Sequence, residues 1–111
     1  MRIVVIGGLE RAEQHFERLA LEAGHEVFFH DGRTGGRGAR ALVQLVDRCE
    51  VVVVLTDVNS HGAVQLARRL LKENGRTPLL LRRLSIARFG ALLDALSLRE
   101  RAGFSRLAAV S

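Results

Sequence analysis

Apolar runs of strand length alternate four times with stripes of helical spacing along this 111-residue chain, and that alternation points to helices packed on a parallel sheet. The first run is Arg2 to Ile6, and the stripe after it reads Leu9, Ala12, Phe16, Leu19, Ala20 and Ala23, with Gly24 as its stop. The second run, Glu26 to His30, enters a glycine-rich loop, Asp31-Gly32-Arg33-Thr34-Gly35-Gly36-Arg37-Gly38, expected to be the most flexible part of the chain. A helix with Ala39, Leu42, Val43 and Val46 facing inward should follow. The third run, Val51 to Leu55, leads to a helix capped by Asn59 or Ser60, striped by Val64, Ala67, Leu70 and Leu71, and closed at Asn74-Gly75. Pro78 precedes the short fourth run, Leu79 to Leu81. Ser85 then caps a helix whose inward positions are Ile86, Phe89, Leu92 or Leu93, and Leu96.

A chain of this length has room for one core, here assigned to a single α/β domain over residues 1–98, with residues 99–111 as a C-terminal tail that packs on the domain or exchanges with a partner subunit. Because small domains bury a smaller share of their surface, self-association would add burial, and a homodimer is the expected state. Cys49 is the only cysteine, so an internal disulfide and a four-thiolate zinc site are both excluded. The opening Met1-Arg2-Ile3-Val4-Val5-Ile6-Gly7 is too short an apolar run for a signal peptide. No segment approaches the roughly 20 apolar residues that span a bilayer. A cytoplasmic protein without membrane contact is expected.

Crossovers between parallel strands are right-handed in nearly all cases, so four βα units wind most simply into strand order 2-1-3-4, with helices on both faces. The fold class is therefore a small three-layer Rossmann-like or flavodoxin-like domain. Ligands of such sheets bind beyond the carboxyl ends of the strands, where the winding direction reverses between strands one and three. Each apolar run of this chain ends there in polar or glycine residues. Gly7-Gly8 follows the first, His30-Asp31-Gly32-Arg33 closes the second, Thr56-Asp57-Val58-Asn59-Ser60-His61 follows the third, and Arg82-Arg83-Leu84-Ser85 the fourth.

The chemistry of those ends suits an anion. Gly7 and Gly8 let backbone approach a ligand with no Cβ in the way, and Arg33, Arg82 and Arg83 supply fork-shaped donors for phosphate or carboxylate. Asp31 and Asp57 can accept from a hydroxyl or amine, and His30 and His61 titrate near neutrality. The net charge of +5, with Lys72 the only lysine among 17 basic residues, fits an anionic partner as well as an arginine-rich genome. Turn and capping chemistry alone accounts for some of these residues, since Thr, Asp, Asn and Ser favour helix starts in any case. No dinucleotide Gly-x-Gly-x-x-Gly and no Gly-x-x-x-x-Gly-Lys-Ser/Thr phosphate loop is present, so no cofactor is named. Metal or haem ligation would need His15, His30 and His61 to converge, because no local His spacing makes a site. Nucleic acid is less favoured, in a chain without Trp or Tyr for stacking.

With the His-Asp-Gly and Thr-Asp-x-x-Ser-His elements in place, together with Gly7-Gly8 and Leu80-Leu81-Arg82-Arg83-Leu84-Ser85, the chain resembles the bacterial family called domain of unknown function 2325 over Arg2 to Leu93. The resemblance implies a small bacterial Rossmann-like domain and carries no catalytic residues with it. The expected function is binding of a phosphorylated or carboxylated small molecule at Gly7, Gly8, Arg33, Asn59, Ser60, Arg82 and Ser85, with Asp57 and His61 orienting or sensing it. The alternatives are histidine-based metal or haem binding and a hydrolase or transferase using His61 with Asp57.

Overall fold

Val51–Leu55 (β3) is apolar at every position because both of its faces are covered. It pairs in parallel with Arg2–Ile6 (β1) on one side and with Leu79–Leu81 (β4) on the other. β1 pairs in parallel with Glu26–His30 (β2), which completes a four-stranded sheet of order β2-β1-β3-β4. The structure, a computed structural model, describes residues 1–7, 13–57 and 61–110, with residues 61 and 103–110 described by their backbone alone. Leu9 and Ala12 of the first helical stripe, together with Gly8, Asn59, Ser60 and Ser111, fall outside the described residues.

Alternation along the strands sorts the core into two clusters. Ile3, Val5, Val53 and Leu55 face Glu13–Glu22 (α1) and Ile86–Val110 (α4), where they meet Phe16, Ala20, Phe89, Leu93 and Leu96. Val4, Ile6, Val52 and Val54 face Arg37–Arg48 (α2) and His61–Glu73 (α3), against Leu42, Val46, Ala63, Ala67 and Leu71. The result is three layers, helices on both faces of one parallel sheet, as the run pattern predicts. Phe16 and Phe89 lock α1 to α4 with ring centroids 4.9 Å apart in an edge-to-face arrangement. Each such fully buried large side chain contributes roughly 1.5–3 kcal/mol before the entropy of ordering the chain is set against it.

The helix stops act through glycines in the left-handed region. Gly24 has φ of 82°, and the next amide, His25 N–H, donates back to the Ala20 carbonyl at 2.8 Å. Gly75 has φ of 67°, and Arg76 N–H returns to the Leu71 carbonyl at 2.8 Å in the same six-residue closure. At the start of α4 the Ser85 hydroxyl oxygen accepts from Arg88 N–H at 3.1 Å, the predicted cap.

Three inward assignments differ. Val43 is 41% exposed, because the buried face of α2 is centred on Leu42 and Val46 and the next residue lies about 100° round the helix. Ile86 is 45% exposed at the first turn of α4, where the buried Leu84 before the cap turns inward in its place. Ala23 is exposed at the end of α1. Beyond Leu98 the chain does not leave the helix: α4 runs on through Val110 without a break.

Candidate functional site

The ladder between β3 and β4 continues past both strands. Thr56 N–H donates to the Leu81 carbonyl at 2.8 Å, and Asp57 N–H to the Arg82 carbonyl at 3.2 Å. Those two bonds carry residues 25 positions apart in sequence to the same point on the sheet edge. Thr56 itself is exposed, its hydroxyl 3.5 Å from the Leu81 carbonyl. The Asp57 carboxylate, 30% exposed, stands between two guanidinium groups: Oδ1 lies 3.6 Å from Nε of Arg82, and Oδ2 lies 3.3 Å from Nε of Arg83. Both arginine side chains are 86% exposed. With Ser85 and Arg88 from the cap and first turn of α4, these residues line an open depression of about 480 Å³.

Chemically this is a donor-rich surface with one internal acid. Asp57 meets both arginines through Nε, and with both side chains largely exposed the terminal amino groups of each guanidinium remain for a further acceptor. Ser85 accepts from backbone with its oxygen and keeps its O–H to donate. Arg88 makes no ion pair among the described residues. Arg88 is a polar position of α4 that the apolar periodicity of the helix does not single out. The usable signal was the cap, since the third residue of a helix lies over the residue that caps it.

His30-Asp31-Gly32-Arg33 behaves otherwise. The His30 ring is buried, and its Nδ1 accepts the Gly32 N–H at 3.0 Å. A carbonyl can only accept, so Nε2 carries the ring proton and donates it to the Gly38 carbonyl at 2.8 Å. Both ring nitrogens thus hold the glycine-rich loop. Asp31 accepts from Arg33 N–H at 2.9 Å and pairs with the Arg33 guanidinium at 3.7 Å, again within its own loop. A Cβ on Gly38 would clash with the Arg33 carbonyl oxygen, so any side chain there forces the loop to shift. The loop expected to be the most flexible stretch is cross-linked by a buried histidine. Its polar residues border a second, shallower depression of about 410 Å³ with Glu13 and Arg37. Thr34 of this loop lies near the start of α3, its hydroxyl 3.5 Å from where a Cβ on Gly62 would stand.

Gly7, at φ 137°, has its N–H committed to the His30 carbonyl at 2.7 Å. Gly8, Asn59 and Ser60 lie outside the described residues, as does the side chain of His61, whose backbone opens α3. The structure therefore joins Asp57, Arg82, Arg83 and Ser85 in one place and sets His30, Asp31 and Arg33 in another. Exposed His15 sits apart on α1, and no three His, Cys, Asp or Glu residues gather at metal-binding distance among those described.

The opposite sheet edge holds contacts that sequence reading did not foresee. Arg76 donates to the carbonyls of Val46 at 3.1 Å, Cys49 at 2.5 Å and Glu50 at 2.9 Å, closing the end of α2 with a cation. His25 is only 2% exposed, with Nε2 2.9 Å from the Ser97 hydroxyl. Glu50 accepts from Arg2 N–H at 2.6 Å, and that backbone bond holds its carboxyl below the usual carboxylate range. Burial, reinforced by Glu50, pushes the Cys49 thiol up to about 11, so it carries almost no thiolate near neutrality. Among the described residues no helix is long and apolar enough to cross a membrane.

A parallel three-layer α/β protein with a cationic cluster beyond the carboxyl ends of its strands is the class that fold and site define. The chain belongs to the bacterial family described as uncharacterized protein conserved in bacteria, the domain of unknown function 2325, whose model matches residues 2–96. It is similar to a UPF0751 protein of Bacillus cereus strain AH820, 28% identical over 71 residues that cover 64% of this chain and 70% of that one. A UPF0751 protein of Bacillus anthracis strain CDC 684 is 27% identical with the same coverage. No solved structure matches the chain.

Proposed function

We propose that this protein binds an anionic small molecule at the carboxyl ends of β3 and β4, through Arg82, Arg83, Arg88 and Ser85, with Asp57 as the brace that orients two of the arginines. The observation that carries the reading is the Asp57 carboxylate engaging Nε of both Arg82 and Arg83, whose side chains remain 86% exposed beside the only acid that lines the depression among the described residues. Fork-shaped donors held this way suit phosphate or carboxylate oxygens. Isothermal titration of the whole chain with nucleotides, sugar phosphates and polyphosphates tests it. Saturable binding that weakens at least about tenfold in Arg82→Ala, a change of about 1.4 kcal/mol, supports the site. Binding unchanged in Arg82→Ala places the ligand elsewhere.

The homodimer expected from chain size belongs to this reading, as does a cytoplasmic location. Leu79 and Leu80 of edge strand β4 are 39% and 38% exposed, beside a depression of about 320 Å³ lined in part by Leu92, Ala95 and Leu96 of α4. An uncovered apolar strand at a sheet edge favours self-association. Sedimentation equilibrium checks it, and a mass of one chain at every concentration would rule the dimer out.

A further inference from the structure

We infer that the Asp57 site selects a doubly charged tetrahedral oxyanion, the terminal phosphate of a monoester, over carboxylates and phosphodiesters; this rests on the reading of the cluster as an anion site. Charge comes first. Arg82, Arg83 and Arg88 bring three positive charges to the depression and Asp57 one negative charge, so a net of two faces any ligand. A monoester phosphate above its second pKa matches that count, whereas a carboxylate or a diester leaves one cation unmatched.

Hydrogen-bond sense leads to the same class. The Asp57 charge is matched by two guanidinium groups and the Ser85 oxygen accepts from Arg88 N–H, so N–H and O–H donors outnumber acceptors in the depression. Its complement is a group that only accepts. Donors arrive from separate anchors, Arg82 and Arg83 from the end of β4, and Ser85 and Arg88 from the start of α4. A planar carboxylate has two oxygens for those donors. A phosphate monoester dianion has three terminal oxygens, and a diester only two. The described lining residues are all polar or charged, so the charged head group carries recognition.

The test titrates the full chain at fixed ionic strength with glycerol 3-phosphate, dimethyl phosphate, acetate and sulfate. At pH 7.5 the monoester and sulfate are expected to bind at least about tenfold tighter than the two singly charged probes. Lowering the pH to 5.5 takes the monoester through its second pKa of about 6 and should weaken it roughly fourfold. Sulfate stays doubly charged throughout and should hold its affinity. The groups that face the ligand are Asp57, Arg82, Arg83 and Arg88, and His61 opens α3 at the same sheet edge. Sulfate reports any titration among these protein groups, so a parallel loss of sulfate affinity overturns the assignment to ligand charge. Equal affinity for diester and monoester, with Arg82→Ala weakening both, overturns the selection but leaves the anion site standing. No binding by any probe, or binding indifferent to Arg82→Ala, removes the site itself.

Discussion

The ends of β2 and β4 read alike in sequence, each a strand running into charged residues, yet the folded protein treats them in opposite ways. At the end of β2, the His30 and Asp31 side chains hydrogen-bond to residues two to eight positions away, through the backbone of Gly32, Arg33 and Gly38. At the end of β4, Arg82 and Arg83 reach a side chain 25 or 26 positions away and keep donor groups in solvent. The first arrangement builds a loop, and the second presents a surface. Separation in sequence is not the whole distinction, since Arg76 and Glu50 also act over long range. They bond to backbone, and their work is finished once the chain is folded.

Substitutions at the two ends should separate these roles, beginning with the largest effect. His30→Ala opens a cavity and leaves the Gly32 N–H and Gly38 carbonyl without their ring partner, an expected loss of about 3 kcal/mol in denaturant unfolding. Anion binding by the folded fraction should be unaffected, and a specific loss of binding would move the site to β2. Gly38→Ala forces the Arg33 carbonyl away from a Cβ and should cost about 2 kcal/mol, measured the same way. Arg82→Ala reverses the pattern, with stability within about 0.5 kcal/mol of the parent and phosphate affinity down at least about tenfold. A large stability loss there would make the exposed ion pairs structural.

Asp57→Ala sharpens the comparison further. It raises the local positive charge but frees both guanidinium groups from their brace, and an affinity loss of about threefold is expected from lost orientation. Tighter binding instead would show that the arginines act as unoriented charge. The smallest effect belongs to Glu50→Gln, about 0.5 kcal/mol, because the amide oxygen can still accept from Arg2 N–H at this exposed site. Glu50 titrates below the usual range when folded, so its contribution is present above the unfolded value and disappears as pH falls through the lowered one. The melting difference between parent and variant should therefore shrink in acid.

Much of the architecture was legible beforehand. All four strands fall on the expected runs, the helix stops at Gly24 and Gly75 and the cap at Ser85 are where local chemistry puts them, and the strand order follows from crossover handedness. The placement of the candidate residues was legible in half. Asp57, Arg82, Arg83 and Ser85 share a depression as expected, whereas buried His30 holds its own loop, exposed Asp31 and Arg33 pair with each other, and Arg88 lies outside the expected set.

Periodicity and turn chemistry act between near neighbours, so the amino-acid order alone determines which segments become strands and helices and where each one ends. Whether a polar side chain then bonds inward to its own loop or outward to another strand's residue depends on distances set only when β3 and β4 lie side by side. That is why Asp57 and Arg82, 25 residues apart, meet only in the folded protein, while a histidine fit for catalysis by type serves to hold a loop.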